Sequence, residues 1–238
     1  MLIGYETCPV ADCSEEDRRA CFVILSRLFL GVDWDDFVRD FDAKDAVMVL
    51  RDAETGAIGG FSTLVRLELE VEGTAVPIVF SGDTAVLPEF RTSLGLGHEL
   101  SRYLAETPAL YPERTPYYVL ISKGWRTYRL LRFFFRTFFP CAAATEPPAE
   151  QRVRNAFGAR CPGQYDAAAG VLRNGPGAPR LRPGGVDAAP PAGDEDGMFF
   201  AAANPGYLRG DELVCVARVA PDNFTAGLQR LARTPALL

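Results

Sequence analysis

Residues 86–97 read Val-Leu-Pro-Glu-Phe-Arg-Thr-Ser-Leu-Gly-Leu-Gly, an apolar run broken by a proline and followed by a turn rich in small and polar residues. These types suit an anion. The first N–H groups of a helix lack intrahelical partners and carry partial positive charge, so a phosphate can rest on them. Gly95 and Gly97 let backbone approach closely, Arg91 offers a fork of donors, and Thr92 and Ser93 add hydroxyls beside Leu94 and Leu96. A tight strand-to-helix turn without a ligand is the other reading of the same residues.

Other chemistries have less support. His98 is the single histidine, so any Ser-His or Cys-His arrangement would have to use it. Six cysteines stand at 8, 13, 21, 141, 161 and 215 with no Cys-x-x-Cys pair, which gives no zinc spacing and reads as reduced thiols, several of them core residues. The net charge of −6 argues against general nucleic-acid binding. Its distribution is uneven. Residues 1–60 hold 13 acids and 6 bases, residues 121–160 hold 8 bases and 2 acids. The basic cluster reads either as a site for one anionic ligand or as a solvated helix face. No run of about 20 apolar residues is present, and the first residues lack a basic stretch followed by a long apolar core. A cytoplasmic location is expected.

The elements that position the turn follow from periodicity. Residues 2–10 open as a strand. Ser14 before Glu15, Glu16 and Asp17 caps a helix that carries Phe22, Ile24, Leu25, Leu28 and Phe29 and stops at Gly31. A second short helix over 33–41 turns Trp34, Phe37, Val38 and Phe41 inward. Strands at 46–52, 57–71 and 77–87, joined by tight turns, form an antiparallel meander. A helix from the Gly turn to about Glu106, a strand at 116–122 and a helix ended by Pro140 come next. On that last helix Tyr128, Leu130, Leu131, Phe134, Phe135 and Phe138 share one face, and Arg126, Arg129, Arg132 and Arg136 the other. A helix at about 147–157, a Gly/Pro/Ala-rich loop at about 174–197, a strand within 212–219 and a helix at about 222–233 complete the chain. Residues 174–193 contain 14 Gly, Pro or Ala, too few large apolar residues for a core.

This order of elements, with Val86-Leu87-Pro88-Glu89-Phe90-Arg91-Thr92-Ser93-Leu94-Gly95-Leu96-Gly97 at the turn, resembles the Gcn5-related N-acetyltransferase (GNAT) superfamily over about residues 1–140. The resemblance implies an α+β fold with a mixed, mostly antiparallel central sheet flanked by helices. It implies acetyl-CoA (an acyl-CoA) as co-substrate and no metal. The pyrophosphate would sit on the Arg91–Gly97 turn and the pantetheine along backbone at Ala85, Val86 and Leu87. The chain has one residue more than the family between Arg91 and the glycines. Thr92 or Ser93 therefore takes the usual first basic or Gln position, or the loop is rebuilt with both hydroxyls on phosphate. The family's fifth strand commonly ends in Asn with a Tyr six residues on. Ser122 stands in that Asn place, and Tyr128 is the corresponding general acid for the CoA thiolate, expected at the edge of the apolar face with its hydroxyl toward the cleft. Acyl transfer to an amine also needs a base. Asp83 and Glu68 are the candidates on strands, with His98 behind them, and a backbone N–H near Val86 would meet the carbonyl oxygen.

The reading is a core at 1–140 and an extension at 141–238 that completes the sheet and the acceptor site. Its expected activity is a CoA-dependent N-acetyltransferase acting on a small-molecule amine, as a monomer or homodimer, without nucleic acid or membrane. The alternatives are a non-catalytic GNAT-fold partner module and a longer-chain acyltransferase with Phe residues near 133–139 lining a tunnel.

Overall fold

A computed structural model describes residues 2–175, 177–182 and 189–234. Strand β1 (Ile3–Pro9) leads to α1 (Glu15–Leu28), which Ser14 caps by accepting the Asp17 N–H at 3.0 Å. The short β2 (Phe29–Leu30) precedes α2 (Trp34–Asp42), where Asp33 accepts the N–H groups of Asp35 and Asp36. Then come β3 (Ala46–Asp52), β4 (Ile58–Val71) and β5 (Thr74–Val86), the expected meander. Its second turn places Glu72 and Gly73 at positive φ, the conformation that matches the twist of a tight hairpin. Helix α3 (Gly95–Leu110), β6 (Tyr117–Ser122), α4 (Trp125–Phe134) and α5 (Pro148–Arg160) follow. The remainder is β7 (Gln164–Asp166), β8 (Val171–Arg173), β9 (Arg180–Leu181), α6 (Glu195–Ala203), β10 (Glu212–Arg218) and α7 (Ala226–Arg233).

One eight-stranded sheet runs in the order β1-β3-β4-β5-β6-β10-β8-β7. Every pairing is antiparallel except β5 with β6, so the sheet is mixed and mostly antiparallel as expected. The alternation of strand side chains assigns the two faces. Val47, Val49 and Phe61 meet Cys21, Ile24 and Leu25 of α1 and Phe37 and Phe41 of α2. On the same face farther along, Ile78, Val119, Val214 and Val216 meet Val153 and Phe157 of α5. The opposite face, with Met48, Leu64, Val79, Leu120 and Cys215, is covered by α3, α4, α6 and α7.

Three expectations need correction. Helix α4 ends at Phe134, not at Pro140. Asn223 takes over the backbone beyond it: its side chain accepts the Thr137 N–H and donates to the Thr137 carbonyl, and its own carbonyl accepts the Arg136 N–H. Phe135 and Phe138 are therefore core residues of an extended segment, and Leu130 is exposed. The loop expected at 174–197 contains β9, which pairs with β2, and runs into α6 from residue 195; residues 176 and 183–188 lie outside the described part. Helix α3 extends past Glu106 to Leu110. Among the described residues no helix is long and apolar enough to cross a membrane.

Candidate functional site

Strands β5 and β6 pair over Ile78–Ser81 and Tyr117–Leu120 and then part. The cause is a bulge. Ser62 lies opposite Thr84 but Leu64 lies opposite Ser81, so Gly82 and Asp83 together face the single Thr63. A bulge bends its strand and re-aims a side chain. Gly82 is required there, since a Cβ would lie 2.5 Å from Thr63 Oγ1 and 2.8 Å from Lys44 Cε. Among the described residues, β5 beyond the bulge is paired on its β4 side alone. The Leu87 N–H donates to the Gly59 carbonyl, so the backbone of Leu87 and, two residues back, of Ala85 faces β4, while that of Val86 turns toward the gap. The side chains of Ala85 and Leu87 are buried. Of the three residues expected along pantetheine, Val86 is thus the one whose backbone turns toward the gap, its carbonyl accepting from Arg91 Nε.

Asp83 stands at the mouth of this gap. It is partly buried and forms no hydrogen bond or ion pair among the described residues. Burial raises its carboxyl above the usual carboxylate range; Asp40 and Glu212 push it the same way, and Lys123 and Lys44 oppose them. Both lysines are engaged elsewhere. Lys44 Nζ is 2.6 Å from Asp40 Oδ1 and donates to the Asp40 carbonyl, and Lys123 Nζ is 2.9 Å from Glu212 Oε1. The sequence reading missed Lys44, Asp40, Lys123 and Glu212, which come from separate elements; the glycine inside a strand pattern was the one local sign of the bulge that gathers them.

The other expected groups have partners of their own. Glu68 is at the far end of the β4–β5 hairpin, opposite Pro77, and is held by both terminal nitrogens of Arg114 at 2.9 and 3.0 Å. His98 stacks on Tyr5 at 5.3 Å. Ser122 is buried, donates to the Gly124 carbonyl and accepts the Gly124 N–H, a local turn that starts α4. Tyr128 does not reach the gap by an exposed edge. It is 0% exposed, rings of Phe138, Phe199 and Phe200 surround it, and its hydroxyl donates to the Pro140 carbonyl at 2.8 Å. Burial raises its phenol strongly. Helix α6, unforeseen in the sequence, supplies two of those rings.

The turn expected to hold phosphate is only partly open. Gly95 packs inward, where a Cβ would lie 2.6 Å from Leu50 Cδ2 and 2.7 Å from Tyr5 Cβ; its smallness serves the contact of α3 with β1 and β3. At Gly97 a Cβ would meet Leu231 of α7 at 3.7 Å, an ordinary contact. Ser93 Oγ accepts the Gly95 N–H at 3.1 Å. Arg91, Thr92 and Leu94 are exposed, Leu96 is partly buried, and Arg91 Nε donates to the Val86 carbonyl at 3.3 Å. That contact sets a guanidinium beside the backbone of β5 at the gap. Of the two readings of the basic cluster, the half-exposed Arg129 and Arg132 of α4 fit the solvated face, and they pair with acids. Arg132 holds Asp196 in two hydrogen bonds and Arg129 lies 3.2 Å from Asp194, both at the start of α6.

No family model and no curated protein sequence matches the chain. Similar solved structures include a conserved protein of unknown function from Enterococcus faecalis V583. It is 12% identical over 58% of this chain and 33% of that one, with a TM-score of 0.43. A GCN5-related N-acetyltransferase from Kribbella flavida gives 17%, 57%, 34% and 0.41 in the same order. A GNAT-family N-acetyltransferase (YhbS) from Escherichia coli in complex with CoA gives 16%, 56%, 70% and 0.38. The aligned part is about a third of the length of the Enterococcus and Kribbella chains.

Proposed function

We propose that the chain is a CoA-dependent acyltransferase that moves an acetyl group from acetyl-CoA to an amine of a small molecule. The observation that carries the reading is the parallel β5–β6 pair that opens at the Gly82 bulge, with the Val86 backbone turned into the opening and Asp83 at its mouth. An extended pantetheine arm would pair with Val86 as a strand adds to a sheet edge. Arg91, with the exposed Thr92 and the N–H groups at the start of α3, would meet the pyrophosphate.

Asp83 would take the proton of the acceptor ammonium, directly or through a water. The amine lone pair then attacks the thioester carbonyl carbon, the C–N bond forms, and the Val86 N–H would donate to the carbonyl oxygen as charge gathers on it. The C–S bond breaks and the CoA thiolate leaves. We assign its proton to solvent, because the Tyr128 hydroxyl is committed to Pro140 and the Ser122 hydroxyl to Gly124. The packed rings of Tyr128, Phe138, Phe199 and Phe200 leave the expected Phe-rich tunnel filled, which favours a short acyl group. The cytoplasm remains the expected location.

A titration with CoA tests the reading. At 100 times the dissociation constant, binding adds about 2.7 kcal/mol to stability, or roughly 5–11 °C in Tm for a chain of this size. Release of free thiol from acetyl-CoA with an amine present then tests transfer. The second reading, a non-catalytic partner module, is favoured by the inward packing of Gly95 and the engaged Tyr128. It predicts no amine-dependent thiol release.

A further inference from the structure

The charges around Asp83 select among amines. Five ionisable groups lie around the mouth of the gap: Asp83 of β5; Lys44, whose Cε would be 2.8 Å from a Cβ at the adjoining Gly82, with Asp40 of α2; and Lys123, just past β6, with Glu212 of β10, beside the paired Ser122 and Leu213. Both cations are closed. Lys44 is buried, with its ammonium on the Asp40 carboxylate and carbonyl and its Cε against Gly82. Lys123 is on Glu212, whose other oxygen accepts from Asn174 Nδ2 at 2.9 Å. Two positive charges against three negative ones leave one net negative charge, and its unpaired bearer is Asp83.

We infer that the acceptor is a cationic amine with no carboxylate beside its amino group, so that amino acids are poor acceptors. The inference rests on the acyl-transfer reading for the identity of the cleft. A carboxylate one carbon from the reacting nitrogen would enter among Asp83, Asp40 and Glu212 and, with Arg91 given to the pyrophosphate, would find no open cation there among the described residues. Like charges a few ångströms apart near a protein surface repel strongly enough to decide between two acceptors. An ammonium is drawn to Asp83 and gives it the proton that must leave before attack.

Matched acceptors test this. Pentylamine, norleucine and norleucinamide share a chain and an amino group, and only norleucine carries the carboxylate. With acetyl-CoA and a free-thiol readout, kcat/KM for pentylamine and norleucinamide should exceed that for norleucine at least about tenfold. In Glu212→Gln, Lys123 loses its carboxylate and becomes an open cation, so norleucine should gain on pentylamine by several-fold. Equal use of the three acceptors, or a preference for norleucine in the unmodified protein, overturns the inference while leaving acyl transfer intact. If no amine is acetylated, the acyl-transfer reading falls. Calorimetric titration of the CoA-saturated protein then still decides the charge preference: pentylamine binding at least about tenfold tighter than norleucine upholds it, and equal or undetectable binding of both ends it.

Discussion

Replacement of Tyr128 by phenylalanine separates a role in chemistry from a role in packing. The ring would keep its contacts with Phe138, Phe199 and Phe200 at 5.5–6.1 Å between centroids, so no cavity opens. What is lost is the 2.8 Å hydrogen bond to the Pro140 carbonyl. A net hydrogen bond contributes about 0.5–1.5 kcal/mol, and an orphaned buried acceptor costs more. Pro140 is itself only partly buried, so water can recover some of that second loss. A total of about 1–2 kcal/mol follows, which at roughly 2–4 °C per kcal/mol lowers Tm by about 2–8 °C. The rate of acetyl transfer at saturating acceptor should stay within about twofold, because a hydroxyl committed to the Pro140 carbonyl has no proton to give the thiolate; a general acid would be worth about 10²–10⁴-fold. Calorimetry and thiol-release kinetics on this one variant are sufficient. An unchanged Tm with a rate loss of about a hundredfold or more would mean that the hydroxyl protonates the thiolate and that this packing description is wrong.

The remaining predictions concern single contacts. Arg91→Ala should weaken CoA binding by about 1.5–3 kcal/mol, the range for hydrogen bonds to charged groups, and leave the Tm of the free protein nearly unchanged; calorimetric titration checks both. Gly95→Ala should destabilise by roughly 1–3 kcal/mol, because the added methyl meets Tyr5 Cβ and Leu50, and denaturant unfolding should show this with or without CoA. Arg154→Met should cost about 3–5 kcal/mol by stranding the largely buried Glu146 carboxylate that Arg154 holds, and urea unfolding measures it.

The fold was legible where local chemistry and periodicity agree. The bounds of β3 coincide with the expected 46–52, and Ser14 and the acids after it start α1 where they should. The end of α4 was not legible, because Asn223, 86 residues from Thr137, imposes it. Helix α6 was missed because Gly-Met-Phe-Phe-Ala-Ala-Ala has no polar face to give a period; the sign available was Asp194, which accepts the Gly197 N–H ahead of two further acids. The site was legible only in part. A strand, a Gly turn and a second strand pointed to the β5–β6 gap, and Asp83 was within reach of the reading. The engagement of Tyr128, Ser122 and Glu68 depends on partners distant in sequence or on the exact turn geometry. Lys44 and Lys123 reach the gap through the sheet order, which local sequence does not encode.

The most direct test of the central claim is the pH dependence of acetyl transfer in the unmodified protein and in Asp83→Asn. A base works deprotonated, and burial raises this carboxyl, so kcat/KM should rise with pH through an apparent pKa above the ordinary carboxylate range. Asparagine keeps the size and removes the base, so the rate should fall by about 10²–10⁴-fold and the limb from this group should vanish. Stability should move the other way. A carboxyl raised by folding favours the protonated state, so its contribution is full below the unfolded pKa and lost as pH rises through the folded one; at neutral pH Asp83→Asn should match or exceed the unmodified Tm. Activity within about threefold of the unmodified protein, with the same pH profile, would contradict the assignment of Asp83 and of the β5–β6 gap as the acceptor side of the site.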